Sequence, residues 1–282
     1  MLSSLPPFVL FFVGAVVIAF TRGTARKVLI LAIPLIGGLN LWFGVEPGLH
    51  LQFDLIGYTL TPYRADKLSL LFGYLFHLAA FLGFVYALHL GDSAPEGSVA
   101  GEVGEDDIVG NASAGLQHVA AMVYAGSALG AVFAGDFITL FIFWELLAIS
   151  SAFLVWARKS ERSYATGFRY LIIHVISGVL LLSGALMLAH ETGSIEFGHV
   201  GLAGTGAAGW ILLLSFGIKA GFPLLHNWIT EAYPESTPTG TVFLSAFTTK
   251  VAVYALARSF VGTDVLIYIG TAMTFFPIFY AV

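Results

Sequence analysis

The sequence predicts an all-α polytopic membrane protein of about nine transmembrane helices. Three observations carry that expectation. The 282-residue chain is 58% hydrophobic and 10% charged, with a mean hydropathy of +0.89, more uniformly apolar than a soluble core of this size. Its apolar residues fall into runs near the ~20 residues that a helix needs to cross a ~30 Å hydrocarbon layer. Its charges collect between those runs, with three exceptions: Glu145, Lys219 and Lys250.

The runs place spans at Leu5–Phe20, Val28–Phe43, Leu68–Leu90, Leu116–Ala134, Phe137–Ala157, Tyr170–Ala189, Ala208–Trp228, Thr241–Ala257 and Val265–Val282. Met1–Pro7 has no basic segment and no small-residue cleavage site precedes the next run, so Leu5–Phe20 reads as a membrane helix rather than a cleaved signal peptide. Leu49–Thr61 alternates and is β-prone, which suits an extended or hairpin segment at one surface. Asp92–Ala114 is rich in Gly and acid and lacks Lys and Arg, which reads as a solvated, flexible loop. Basic residues set orientation. With the N-terminus outside, Arg22, Arg26, Lys27, Arg158, Lys159, Arg162 and Arg169 face the cytoplasm, whereas Arg64, Lys67 and Arg258 face out. The expected location is the cell (inner) membrane.

Composition also excludes chemistries. Without cysteine there is no disulfide, Cys-ligated zinc or Cys-ligated iron–sulfur cluster. No His pair has zinc-ligand spacing within one element, and His77 and His89 read as packing residues. There is no phosphate-binding glycine loop, nucleotide fingerprint or nucleophile beside a base, so no metal and no cofactor is expected. The net charge of −5 and the dispersed basic residues give nucleic-acid binding no support.

A charge near a bilayer centre costs at least ~2.5–3.5 kcal/mol, so function is the default reading of the three exceptions. Glu145 lies in Phe143-Trp144-Glu145-Leu146-Leu147; the alternative is a carboxylate that only bonds two helices together. Lys219 lies about 11 residues, or ~16 Å, into its span. Burial makes a lysine's charged form costly, so Lys219 is suited to exchange protons near neutral pH. Pro223 lacks the N–H that would bond the Lys219 carbonyl, so the seventh span is predicted to break at its own lysine; broken helices at this depth mark ion pathways in many transporters, and the alternative is a kink that serves packing. Lys250, in Thr248-Thr249-Lys250-Val251, is central to its span beside two hydroxyls. His174 sits about five residues inside its span, where a packing residue and a proton relay are both consistent with the pattern. The polar connection His226–Pro238 supplies His226, Glu231 and Glu235, read either as a proton entrance or as a solvated loop.

Ala134-Gly135-Asp136, Phe143-Trp144-Glu145 to Ser150-Ser151, Gly217-Ile218-Lys219-Ala220-Gly221-Phe222-Pro223-Leu224-Leu225-His226, Ala232-Tyr233-Pro234-Glu235-Ser236-Thr237-Pro238 and Thr249-Lys250-Val251 occur in order at compatible spacing. Together they resemble the antiporter-like proton-translocating subunits of Mrp-type Na⁺/H⁺ antiporters, respiratory complex I and membrane-bound hydrogenases; Ala232–Arg258 most resembles the D component of Mrp-type antiporters. The resemblance covers nearly the whole chain. It implies that Glu145 and Lys219 form a gating charge pair, that Lys250 belongs to a central hydrophilic axis, and that His174 occupies a position that is polar in relatives. It also implies lead-in helices over residues 1–114, one five-helix repeat with a broken seventh helix over 115–262, and the start of a second repeat over 263–282.

The function implied is that of a D-type component of a multisubunit monovalent cation/proton antiporter, with H⁺ and Na⁺ as candidate ions. It is a transporter component rather than an enzyme by itself. The expected partners are other membrane subunits and a separate chain carrying the second repeat. One alternative is a proton-pumping member of a complex I-type NADH:quinone oxidoreductase or membrane hydrogenase, where the chain would be part of a translocase. The other is a non-catalytic membrane scaffold.

Overall fold

The computed structural model describes residues 5–55, 57–91 and 106–281. The elements run α1 (Pro7–Phe20), α2 (Gly23–Gly44), β1 (Gly48–Leu55), β2 (Tyr58–Ala65), α3 (Lys67–Gly91), α4 (Asp106–Phe133), α5 (Phe137–Trp156), α6 (Glu161–Thr192), α7 (Gly206–Ala220), α8 (Asn227–Glu235), α9 (Pro238–Ser259) and α10 (Val265–Ala281). Among the described residues six helices, α2 to α6 and α9, are long and apolar enough to cross a membrane; α1, α7 and α10 contribute shorter apolar segments. Eight of the nine predicted spans each fall mainly on one of these helices, and the seventh starts on α7.

Local chemistry sets several boundaries. Asp136 caps α5 by accepting the Thr139 N–H at 2.7 Å. A reciprocal Ser160–Ser163 capping box starts α6 at Glu161, nine residues before the predicted Tyr170, and Gly193 in the left-handed conformation ends it. Thr237 caps α9, with Pro238 in its first turn.

Three expectations need correction. Residues 92–105 of the predicted acidic loop lie outside the described residues, and from Asp106 the chain is already helical; acids suit a helix N-terminus as well as a loop. The seventh span divides into α7 and α8, so the predicted connection His226–Pro238 is largely helix. The hairpin reaches Ala65 rather than Thr61.

The central helix is α4, which packs on α1, α3, α5 and α9. Of its membrane window 72% is buried, against 28% for the peripheral α2. Tyr124, Phe133, Trp144, Phe216, Phe247 and Tyr254 fill the interior. Outward residues such as Leu35 and Leu39 of α2 and Ile172, Ile176 and Val179 of α6 are apolar and exposed, as a lipid-facing surface requires.

Ion pairs gather at the two ends of the bundle. At one end the antiparallel β1–β2 hairpin docks through Thr61, whose N–H reaches Asp136 Oδ2 at 2.6 Å and whose carbonyl accepts from Gly135 at 2.8 Å. Beside it Arg258 Nη2 bonds both Asp66 oxygens, at 2.6 and 2.8 Å, and Arg64 Nη1 meets Glu196 at 3.1 Å. At the other end Arg162 pairs with Glu235 at 2.9 Å and Arg169 with Glu231 at 3.1 Å. The basic residues assigned to opposite faces from sequence are thus separated, Arg64 and Arg258 from Arg162 and Arg169.

Burial alone would raise the Asp66 carboxyl, but the Ser69 N–H and the Arg258 guanidinium outweigh it and hold it below the ordinary carboxylate range. Its stabilisation is therefore complete above about pH 4 and is lost as pH falls through the depressed value. Asp66→Asn should lower the thermal stability of detergent-solubilised protein at pH 7 by up to about 1 kcal/mol, since the side chain is partly exposed. The deficit should close as the melting series approaches pH 3; a deficit that persists unchanged there contradicts the assignment.

Candidate functional site

Helix α7 ends in a Schellman turn. Gly221 takes φ = +79°, its N–H donates to Ile218 O at 3.2 Å, and the Phe222 N–H donates to Gly217 O at 2.9 Å. A residue without Cβ adopts that conformation without strain. The break expected from Pro223 is present, but its turn is made at Gly221, and Pro223 follows in the connector to α8. The exposed-end carbonyl that gains a side-chain partner is that of Ile218, which accepts the Trp228 indole N–H at 2.9 Å.

Lys219, in the last turn of α7, has no exposed surface. Its Nζ donates to the Trp144 carbonyl of α5 at 2.8 Å and stands 4.3 Å from the centroid of the Trp144 ring. A charge-assisted hydrogen bond contributes ~1.5–3 kcal/mol and a desolvated cation–π contact about 2 kcal/mol. Burying an ammonium costs several kcal/mol, so these contacts offset only part of the penalty. Among the described residues no carboxylate lies within 4.0 Å of this ammonium.

Glu145 follows Trp144 directly and turns toward α6. Its Oε1 is buried and without a hydrogen-bond partner. A Cβ added at Gly178 would stand 1.5 Å from that oxygen, so the absence of a side chain at Gly178 creates the space the carboxylate occupies. Trp228, whose indole takes the Ile218 carbonyl beside Lys219, also packs on His174. His174 is fully buried, and neither ring nitrogen has a partner. Tyr170 and Trp228 pack on it, with ring centroids 4.2 and 4.5 Å away. Each unmet polar group costs about 1–3 kcal/mol. A pocket with an unpartnered carboxylate oxygen, an unpartnered imidazole and a lysine is chemically suited to hold and pass protons.

The wall is fastened across three helices. Ser177 Oγ of α6 donates to Ser215 O of α7 at 2.9 Å, and Ser215 Oγ donates back to Ser177 O at 2.7 Å. The Trp144 indole N–H reaches Ser177 Oγ at 3.1 Å. Lys219 is thus positioned by rigid helix packing rather than by a loop.

The structure brings Glu145, Lys219 and His174 together but leaves Lys250 apart. Lys250 lies midway along α9 on an exposed face, with Nζ bonded to Ser245 O at 2.6 Å. Glu231 and Glu235 are engaged by Arg169 and Arg162 at the bundle end, and His226 packs near Phe276 of α10, with centroids 4.9 Å apart. Among the described residues no group of three or more His, Asp or Glu is arranged to hold a metal. Trp144, Gly178 and Trp228 were not singled out from sequence. Gly178 had one usable signal, its place four residues beyond His174 on the same helix face.

This fold and site define an antiporter-like membrane domain. The profile described as "NADH:quinone oxidoreductase/Mrp antiporter, TM" matches residues 134–281, more than half of the chain, and the chain belongs to that family. Hydrogenase-4 component B of Escherichia coli is 31% identical over 139 residues, covering 48% of this chain and 20% of the relative. The D component of the Na⁺/H⁺ antiporter of Bacillus subtilis is 30% identical over 141 residues, covering 46% and 28%. Among solved structures, a chain of the Mrp complex from Dietzia sp. superposes with a TM-score of 0.68 at 19% identity, over 92% of this chain and 48% of that one. A chain of Thermus thermophilus respiratory complex I gives 0.68 at 18%, over 91% and 53%. The chain therefore spans about half the length of these solved relatives.

Gly178→Ala should force the Glu145 carboxylate out of its niche. It should destabilise the protein by about 1–3 kcal/mol and shift the infrared carboxyl band identified by its loss in Glu145→Gln. An unshifted band would show that the carboxylate does not occupy the Gly178 niche.

Proposed function

We propose that this chain is the proton-translocating part of a D-type component of a multisubunit monovalent cation/proton antiporter. The observation that carries the reading is Lys219, a fully buried ammonium at the end of broken helix α7, held by the Trp144 carbonyl next to Glu145. In this reading the Glu145 charge stabilises protonated Lys219. At an effective dielectric of about 20, a pair near 4 Å is worth up to about 4 kcal/mol, and less as it separates. Movement of the carboxylate then releases the Lys219 proton to His174, and protons enter from the face that carries His226, Glu231 and Glu235.

Lys250 is the next station in this scheme, and its exposed position supports a route that continues across the outer face of α9. The length of the solved relatives supports a layout in which residues 1–114 act as lead-in, 115–262 as one repeat and 263–282 as the start of another. The distribution of basic residues favours a cell (inner) membrane location with the N-terminus outside.

A second reading has specific support. The M component of NADH-quinone oxidoreductase from Pseudomonas aeruginosa is 28% identical over 162 residues, and hydrogenase-4 component B also aligns. The same relay would then serve a redox-driven complex. Co-purification with flavin or iron–sulfur proteins selects that reading; their absence from an intact, transporting complex selects antiport.

In the assembled complex in membrane vesicles, Lys219→Ala should abolish cation-coupled proton movement, and Glu145→Gln should slow it at least about tenfold. Subunit content should remain that of the parent complex. Full transport by Lys219→Ala would refute the relay, and loss confined to assembly would favour a scaffold role.

A further inference from the structure

Consecutive residues of α5 meet consecutive residues of α6. The Trp144 indole N–H donates to Ser177 Oγ at 3.1 Å, and the neighbouring Glu145 carboxylate occupies the space left at Gly178. Ser177, Trp144 and Ser215 are all fully buried. The Ser177 hydroxyl is fixed on its donor side too: it donates to Ser215 O of α7 at 2.9 Å, and Ser215 Oγ returns a bond to Ser177 O at 2.7 Å. Ser215 lies one turn before Lys219 on α7. A serine hydroxyl has one proton to give. Here α7 takes it, which leaves the oxygen to accept the indole.

Trp144 depends on that fixing. It touches the Lys219 ammonium twice, through its carbonyl at 2.8 Å and through its ring at 4.3 Å from the centroid. The α5 backbone sets the carbonyl. The ring is set by side-chain torsions, of which the outer one is broad in aromatic residues. Phe216 packs on the ring with centroids 5.4 Å apart, an apolar contact. The directional restraint is the indole N–H, a single donor, and it goes to Ser177. An aromatic face attracts a cation and its edge repels one, so a ring free to turn would lose the contact. Alanine at 177 would fill the seam yet leave the indole N–H unmet.

Resting on the proton-translocating reading of Lys219, we infer that Ser177 is a positioning residue: its hydroxyl holds the face of the Trp144 ring against the ammonium and so sets the pH range in which Lys219 exchanges its proton. The titratable groups nearest the pocket are Glu145 on α5 and Tyr170 and His174 on α6, with His226 in the connector to α8. On α8, Glu231 and Glu235 are paired at the bundle end and Tyr233 bonds Leu244 O. On α9, Lys250 is exposed, Tyr254 bonds Val132 O and Arg258 bonds Asp66. The effect of Ser177 therefore reaches Lys219 through the indole.

The test follows the pH dependence of initial proton flux by the assembled complex in vesicles, with subunit content checked on native gels. Ser177→Ala and Trp144→Phe should each move the pH of half-maximal flux by about half a unit or more. The double variant should move it no further than the larger single shift, because both changes remove the same contact. Ser215→Ala, which loosens the seam but spares the indole bond, should keep the parent midpoint. A parent midpoint in Ser177→Ala, or shifts that add in the double variant, would overturn the positioning role. So would an equal shift in Ser215→Ala, which marks helix packing alone. If Ser177→Ala does not assemble, Trp144→Phe decides, since it leaves the Ser177–Ser215 seam intact; a parent midpoint there overturns the proposal. If Lys219→Ala is inactive while Ser177→Ala and Trp144→Phe keep the parent profile, the positioning role fails and the lysine reading stands; an active Lys219→Ala removes both.

Discussion

The contact between the Lys219 ammonium and the Trp144 carbonyl is the constraint around which the middle of this bundle is arranged. It holds a lysine with no exposed surface inside an apolar bundle, where a charge is costly. The surrounding helices compensate in layers. The Trp144 ring faces the ammonium, and the Trp144 indole N–H is tied through Ser177 to the α6–α7 seam. The Schellman turn at Gly221 stops α7 immediately after the lysine. These contacts offset only part of the desolvation cost.

Helix α8 connects that interior to the aqueous face. At its start Trp228 takes the Ile218 carbonyl at the broken end of α7 and packs on His174. At its end Glu231 and Glu235 are held by Arg169 and Arg162 of α6. Glu235 and Trp228 are thus joined by about two turns of helix rather than by a slack loop. The opposite end of the bundle is locked by Asp66, Arg258, Arg64 and Glu196, and by the hairpin pinned to Asp136. The two ends therefore differ in character: one fastens the lead-in segment to α9, while the other faces the site.

Much of this was legible in sequence because the physical signals are local. Long apolar runs locate the helices, since a bilayer demands continuous hydrophobic length. Alternation located the hairpin, and Glu145, Lys219 and His174 stood out because polar groups at such depth are costly. The α8 helix was obscured because its residues are polar and Pro234 lies within it. The role of Gly178 was hidden because a glycine in a membrane helix has many uses, and only the approach of Glu145 from α5 shows which one applies.

Lys219 and Lys250 show where sequence stops. Both are central to apolar runs and looked equivalent when read along the chain. Hydropathy located each helix and put each lysine midway along an apolar run, and Pro223 marked the break in the seventh. Packing alone decided that Lys219 turns inward to the Trp144 carbonyl, whereas Lys250 faces outward on α9 and Thr248 takes the inner position. The reason is that the direction of a side chain depends on how neighbouring helices are rotated against one another, and that rotation is set by contacts between residues far apart in sequence.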